Sequence, residues 1–192
     1  VIAAVVLAAG ESSRLGRPKQ ALPHRGRSLL RHTVECAVAA GCDPVLVVLG
    51  ARAGELGAEL DGTPARTVTN EDWREGIGSS VRAGVAAVER ERPDARAVLL
   101  LVCDQPRLTP QVLRRLLERF RAAGPRIVAC EYAGTVGVPA LFERALFPEL
   151  LELSGPTGAK PLLRTHAEEV VRLAWPGGDV DVDRPGDLDR LG

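Results

Sequence analysis

Continuous apolar runs recur along this chain between helical patterns, and that alternation constrains the fold more than any other feature. Ile2–Leu7 reads IAAVVL and runs into Ala-Ala-Gly, the pattern of a strand covered on both faces. Val45–Leu49, Arg66–Thr69, Ala97–Val102, 127–130 and 170–173 are further strand candidates. Helical spacing fills 28–40, 52–60, 79–91, 109–123, 140–153 and 158–167, and a short helix is expected at 186–191. Ser28 is placed to cap the first helix and Gly41 to stop it. Thr109 and Pro110 open another that Gly124-Pro125 ends. Doubly covered strands alternating with helices predict a three-layer α/β/α, Rossmann-like sandwich with a mostly parallel sheet, one domain over 1–192. Such sheets bind ligands beyond the carboxyl ends of their strands. Function is therefore expected in the loops after Leu7, Thr69 and Val102.

Composition narrows the partners. The 25 Lys+Arg balance the 25 Asp+Glu, and aromatics are only 3%. This argues against a basic nucleic-acid module and an aromatic base-stacking platform. A small anionic ligand stays open, because local charge decides its binding. No apolar run approaches the ~20 residues of a membrane span. The first run lacks a preceding basic segment and reads as a strand rather than a signal peptide. Cys36, Cys42, Cys103 and Cys130 show no CxxC spacing, and His24, His32 and His166 stand apart, which argues against a zinc site. Cys36, Cys103 and Cys130 lie in apolar runs and read as buried thiols of a reducing, cytoplasmic compartment. No partner motif frames any histidine as an acid or base, so all three read as structural or solvated.

Three loops carry possible chemistry. The first, Leu7-Ala8-Ala9-Gly10-Glu11-Ser12-Ser13-Arg14-Leu15-Gly16-Arg17-Pro18-Lys19, is glycine-punctuated, hydroxyl-bearing and basic. Gly10 and Gly16 permit close backbone approach, exposed N–H groups make an anion nest, and Arg14 and Lys19 can meet phosphate oxygens. Lys19 is one of only two lysines beside 23 arginines. The spacing fits neither a Walker A loop nor GxGxxG. A solvated connection is the competing reading, although βα loops usually run only ~2–6 residues. The second loop begins at Asp104, after an apolar run of seven residues, Ala97–Cys103. A carboxylate there suits Mg²⁺, which takes one or two carboxylates plus substrate phosphates; an ordinary helix-leading Asp is the alternative. The third, from Asn70 to Ser80, is polar with two glycines, and Ser79 could simply cap the next helix.

LAAGESSRLGRPKQALP resembles the LAAGxSxRxGxPKxLLP signature of MobA-like nucleotidyltransferases, and within them the molybdenum cofactor cytidylyltransferases. The resemblance implies that Leu7, Ala8, Ala9, Gly10, Ser12, Arg14, Gly16 and Lys19 hold the nucleotide, with Arg14 and Lys19 acting catalytically on its phosphates. Cys103-Asp104-Gln105-Pro106 is similar to the CDQP of the cytidylyl group. It implies Asp104 as a catalytic metal ligand and places Gln105 and Pro106 toward the acceptor. Asn70, Gly78, Ser79 and Ser80 match an N-x-x-W-x-x-G-x-x-S-S loop near base and ribose. Gly137 and Pro139 match a G-x-P-x-x-F segment on the acceptor side. Lys160 ends a loop similar to G-D-x-G-A-[RK], which here carries Pro156 in place of the acid. Asp181-Val182-Asp183 resembles a closing D-[IV]-D, implying one of Asp181 and Asp183 as second metal ligand; residues two apart on an extended segment point the same way.

The implied reaction is Mg²⁺-dependent transfer of CMP from CTP to the phosphate of molybdopterin, with Mn²⁺ as a possible substitute metal. Ala9 and CDQP favour CTP over GTP. An ionised phosphate monoester is already nucleophilic at neutral pH, which agrees with a chain lacking any Ser-His-Asp or Cys-His set. A molybdenum hydroxylase or its maturation chaperone is the implied recipient; no nucleic acid and no membrane is expected. The alternatives are a guanylyltransferase, a nucleotidyltransferase for another phosphorylated acceptor, or a non-catalytic nucleotide-binding cofactor-delivery protein.

Overall fold

A computed structural model describes residues 1–11 and 18–181. Ser12, Arg14, Gly16, Asp183 and the expected helix at 186–191 lie outside the described residues.

The first strand, β1 (Ile2–Leu7), is buried along its whole length. It sits inside a seven-stranded sheet and pairs in parallel on both sides, with β4 (Val45–Leu49) and β6 (Ala97–Val102). β5 (Arg66–Thr69) extends the sheet beyond β4, again in parallel. On the other side follow β8 (Thr135–Glu143), β7 (Ile127–Tyr132) and β9 (Val170–Ala174). β8 runs antiparallel to both β6 and β7, whereas β9 is parallel to β7. Two short strands, β2 (Pro23–His24) and β3 (Arg27–Ser28), form a separate hairpin.

Helices cover both faces, as doubly apolar strands require. Alternate β1 residues divide between two cores. Ala4 and Val6 meet α1 (Leu29–Ala40) and α4 (Pro110–Ala123), through Leu30, Val34, Leu113 and Leu117. Val5 and Leu7 face α3 (Ile77–Glu91), α5 (Phe147–Leu151) and α6 (Lys160–Thr165), through Val85, Leu150 and Leu162. α2 (Ala53–Ala58) is a short link beside β4. All four cysteines are free, buried and in the α1/α4 core. Burial pushes the Cys36 thiol up to about 11 and those of Cys42 and Cys130 up to about 12; Cys103 is raised further.

The caps follow the sequence. The Ser28 side chain accepts from Arg31 N–H at 3.1 Å and that of Thr109 from Val112 N–H at 3.4 Å. Gly41 closes α1 in the left-handed region at φ 90°, where a Cβ would be strained. At Gly84 a Cβ would lie 2.4 Å from a Val5 methyl, so glycine lets α3 settle onto β1.

One expectation needs correction. The helix anticipated at 140–153 is a strand through Glu143, then a 3-10 turn (Arg144–Leu146), and α-helix only at α5. Leu141, Phe142, Leu146, Phe147 and Leu150 have helical spacing, yet Ala140, Leu141 and Phe142 pair on both sides, with β6 and β7. Ladder pairing and full burial of Phe142 outweigh local periodicity there. The β7–β8 register also shifts: Ala129 pairs with Ala140 but Cys130 with Gly137, so Val138 and the cis-linked Pro139 bulge out of the ladder.

Candidate active site

The carboxyl ends of β1, β6, β7 and β9 share one edge of the sheet. Lys19, in a 3-10 turn (Lys19–Ala21) after the first loop, reaches across that edge. Its Nζ lies 2.6 Å from Asp104 Oδ2, joining segments 85 residues apart. Both side chains keep contact with solvent, at 28% and 21% exposure, so ligands can compete for them. Gln20 is buried behind the lysine and donates its Nε2 to Ala8 O at 3.2 Å and Gly10 O at 3.1 Å. It thereby fixes the backbone where the first loop leaves β1. Leu7, Ala8 and Ala9 are themselves buried, and Gly10 is exposed. They can offer a ligand backbone groups more readily than side chains.

Two histidines tie the same corner from below. His24 hydrogen-bonds the Pro106 backbone, and His32 Nε2 donates to Leu108 O at 2.9 Å. Their rings meet edge-on at 5.1 Å. Burial lowers the pKa of both, with Arg25 acting in the same direction, while the carbonyl contacts oppose the shift. They hold the loop after Asp104 as neutral rings, as the structural reading of the sequence expects.

Gln105 is 2% exposed. Its Nε2 lies 3.1 Å from Val138 O, 3.2 Å from Gly178 O and 3.4 Å from Tyr132 Oη. Tyr132 Oη donates to the same Val138 carbonyl at 2.8 Å. That carbonyl is available because the bulge lifts it from the ladder. Gln105 Oε1 is buried without a hydrogen-bond partner among the described residues, an arrangement costing roughly 1–3 kcal/mol. Pro106, Gly137 and Pro139 are buried around this amide.

Tyr132 and the turn Trp175-Pro176-Gly177-Gly178 went unnoticed in the sequence. The signal was there: the only tyrosine, one of two tryptophans, and a Pro-Gly-Gly. Gly178 N–H donates to Trp175 O at 3.0 Å, and the two rings meet edge-on at 5.9 Å. A Cβ on Gly178 would sit 2.2 Å from the Tyr132 ring. Asp181 follows three residues after this turn and is exposed. Burial first, then the negative charges of Asp181, Cys130 and Asp104, push the Tyr132 phenol up to about 12, against a lowering contact from Gln105.

The third loop has a different character. Asn70 is buried and donates Nδ2 to Ser79 Oγ at 2.9 Å and Ser80 Oγ at 3.0 Å, while its Oδ1 accepts from Asp72 N–H at 3.0 Å. Ser79 Oγ donates in turn to the Gly76 and Asp72 carbonyls. Gly76 has φ 108°, and a Cβ on it would lie 2.5 Å from Gly155 O; one on Gly78 would lie 2.7 Å from the Ser154 backbone. The loop is thus pressed against residues 154–156, and its polar groups hold one another. Trp73 packs over Gly50 beside the Ala9 carbonyl, with the Arg74 guanidinium 4.5 Å above its ring. Lys160 lies elsewhere, in a cleft with Arg164, Arg172, Glu131 and Thr135 that excludes the Lys19–Asp104 corner.

The carboxylates fit a hard divalent cation. Asp104 lies at a strand end, already neutralised by a cation and accessible from solvent. A second carboxylate such as Asp181 offers another hard oxygen donor, and phosphate oxygens can complete the set. Among the described residues no cluster of three or more His, Cys, Asp or Glu forms a protein-only cage.

Comparison with known proteins gives the family. The model of the MobA-like NTP transferase domain matches residues 4–170, and the chain belongs to that family of nucleotidyltransferases. Nicotine blue oxidoreductase of Paenarthrobacter nicotinovorans is 37% identical over 172 residues, covering 85% of this chain and 81% of its own. Molybdenum cofactor cytidylyltransferase of Escherichia coli K12 is 25% identical over 96% of this chain and 92% of its own. The crystal structure of Rv0371c from Mycobacterium tuberculosis H37Rv is 36% identical with a TM-score of 0.85, over 99% of this chain and 96% of that one. A manganese complex of Rv0371c aligns at 35% identity and a TM-score of 0.81, over 99% and 97%. No helix among the described residues is long and apolar enough to cross a membrane.

Proposed function

We propose that this protein is a divalent-cation-dependent cytidylyltransferase that moves CMP from CTP to the phosphate of a molybdopterin-type acceptor and releases pyrophosphate. The observation that carries the reading is the contact between Lys19 and Asp104, which joins the first loop to the end of β6. Lys19 stands where it can leave Asp104 for the β- and γ-phosphates and offset charge on departing pyrophosphate. Arg14 joins it in that role. An acceptor phosphate oxygen attacks the α-phosphorus, a new P–O bond forms, and the bond to the β-phosphate oxygen breaks. The acceptor monoester arrives ionised, so no protein base is required. Asp104 and one of Asp181 and Asp183 would hold the cation, Mg²⁺ or Mn²⁺, which supplies charge neutralisation and alignment of the triphosphate. The internally bonded Asn70–Ser80 loop forms a preset wall for base and ribose, and the Ala9 backbone lies beside it. Gly137, Pro139 and Pro106 border the acceptor, whereas Lys160, in its separate cleft, does not; a molybdenum hydroxylase or its chaperone receives the product.

Calorimetric titration with CTP, GTP, ATP and UTP, with and without Mg²⁺ or Mn²⁺, tests the reading. Metal-dependent preference for CTP, followed by pyrophosphate release with molybdopterin, is expected. Preference for GTP would move the protein to guanylyl transfer. A second reading, an oxidoreductase acting on nicotine blue, is favoured by the 37% identity to nicotine blue oxidoreductase. Redox turnover of nicotine blue by the purified protein, with no pyrophosphate release, would establish it instead.

A further inference from the structure

Gln105 follows Asp104 directly, yet its side chain turns inward and is 2% exposed. Three oxygens surround its Nε2 and none lies within bonding distance of its Oε1 among the described residues. The amide orientation is therefore the only one that its surroundings satisfy. Two of those oxygens matter most. Val138 O belongs to the bulge of β8, and Gly178 O belongs to the turn that leads to Asp181. One carboxamide thus anchors the chain one residue after the first candidate metal ligand and three residues before the second. Three residues reach at most about 11 Å, so holding Gly178 confines where Asp181 can go. Packing adds to the constraint, since the Tyr132 ring closes over Gly178 where a Cβ would lie at 2.2 Å. A buried side chain so placed cannot serve mainly as an acceptor contact, which is what the sequence resemblance implies for it.

We propose that Gln105 is a positioning residue that sets the spacing of Asp104 and Asp181 by tying the β6 loop to the Trp175–Gly178 turn. The proposal rests on the reading of those aspartates as cation ligands. It assigns the metal affinity of the site partly to a residue that never touches the metal. Supporting partners of this kind typically change metal affinity by ~10–100-fold when removed.

Gln105→Met keeps the volume and removes both donated bonds. Mn²⁺ binding would be titrated by electron paramagnetic resonance in the presence of CTP, alongside CTP binding without metal and a thermal melt. A loss of about 10–100-fold in Mn²⁺ affinity, with metal-free CTP affinity changed by less than about threefold, is expected. Tyr132→Phe removes the hydroxyl contact but leaves both carbonyl contacts of Gln105, so its loss should be smaller. If the methionine variant does not fold, Gln105→Asn carries the comparison: it keeps the amide but is one methylene too short to reach both carbonyls. A folded variant that binds Mn²⁺ as tightly as wild type overturns the positioning role alone. A wild-type protein that binds neither Mn²⁺ nor CTP overturns the nucleotidyltransferase reading and this inference with it.

Discussion

Two loops at the same sheet edge solve opposite problems. In the Asn70–Ser80 loop, Asn70, Ser79 and Ser80 are buried and bonded to one another, and glycines press the backbone onto residues 154–156. At the Lys19–Asp104 corner the ionised groups stay partly in water, and the buried groups behind them, Gln20, Gln105, His24 and His32, hold backbone. The Asn70–Ser80 loop is complete without a ligand. The Lys19–Asp104 corner keeps charge available by assigning its support to neutral neighbours. A wall for a flat base needs shape, whereas a site for phosphates needs charge that can change partners.

The largest expected effect separates the two. Asp104→Ala and Lys19→Ala should each lower pyrophosphate-releasing turnover by about two to three decades, the scale of one electrostatic stabiliser. Near wild-type turnover at saturating substrate would remove either residue from the mechanism. In the packed loop the expected damage is to stability. Gly78→Ala drives a Cβ into the Ser154 backbone and should cost roughly 1–3 kcal/mol, read as a drop of several degrees in the melting midpoint. An unchanged midpoint would mean that the 154–156 segment yields easily and the wall is soft.

Asn70→Ala strips two serine hydroxyls and the Asp72 N–H of their partner. About 1–3 kcal/mol of stability should go with it, measured by urea unfolding. A loss in nucleotide affinity larger than the loss in stability would instead place Asn70 on the ligand.

The smallest effect concerns pH. His24 and His32 have lowered pKa values, so the folded chain binds fewer protons there than the unfolded chain. Their contribution to stability falls as pH drops from 6.5 through the lowered values. His166 is the reverse case. Contacts of 2.8 Å with Glu149 and with Glu169 raise its pKa, so its contribution is full below 6.5 and fades as pH rises through the raised value. Midpoints recorded across that range should show His166→Gln losing the decline on the alkaline side only. A variant that also changed the acid side would couple His166 to the buried pair.

The sheet's centre was legible because β1, β4 and β6 are apolar on both faces, which few other structures tolerate. The first loop and Asp104 were legible because charge at the end of such a strand needs a reason. The family followed from motifs in order along the chain. β8 was hidden because its apolar residues have a helix's spacing and only neighbouring strands decide otherwise. The Gln105–Gly178 bond was hidden for a related reason: it depends on a bulge that frees one carbonyl, and nothing local in Val138-Pro139 marks where that carbonyl points. Asp181 and Asp183 stayed undivided in the sequence because residues two apart are equivalent on an extended strand.

The burial of four unpaired thiols on one side of the sheet makes the protein its own recorder. A thiol-specific reagent can react only when a sulfur reaches water as thiolate, and all four are shielded in the α1/α4 core. Labelling rates would therefore time the opening of that half of the molecule, while the α3/α5/α6 half stays silent for want of any cysteine. Slower labelling on addition of nucleotide and metal would report how far grip at the sheet's edge is felt through one face of its interior.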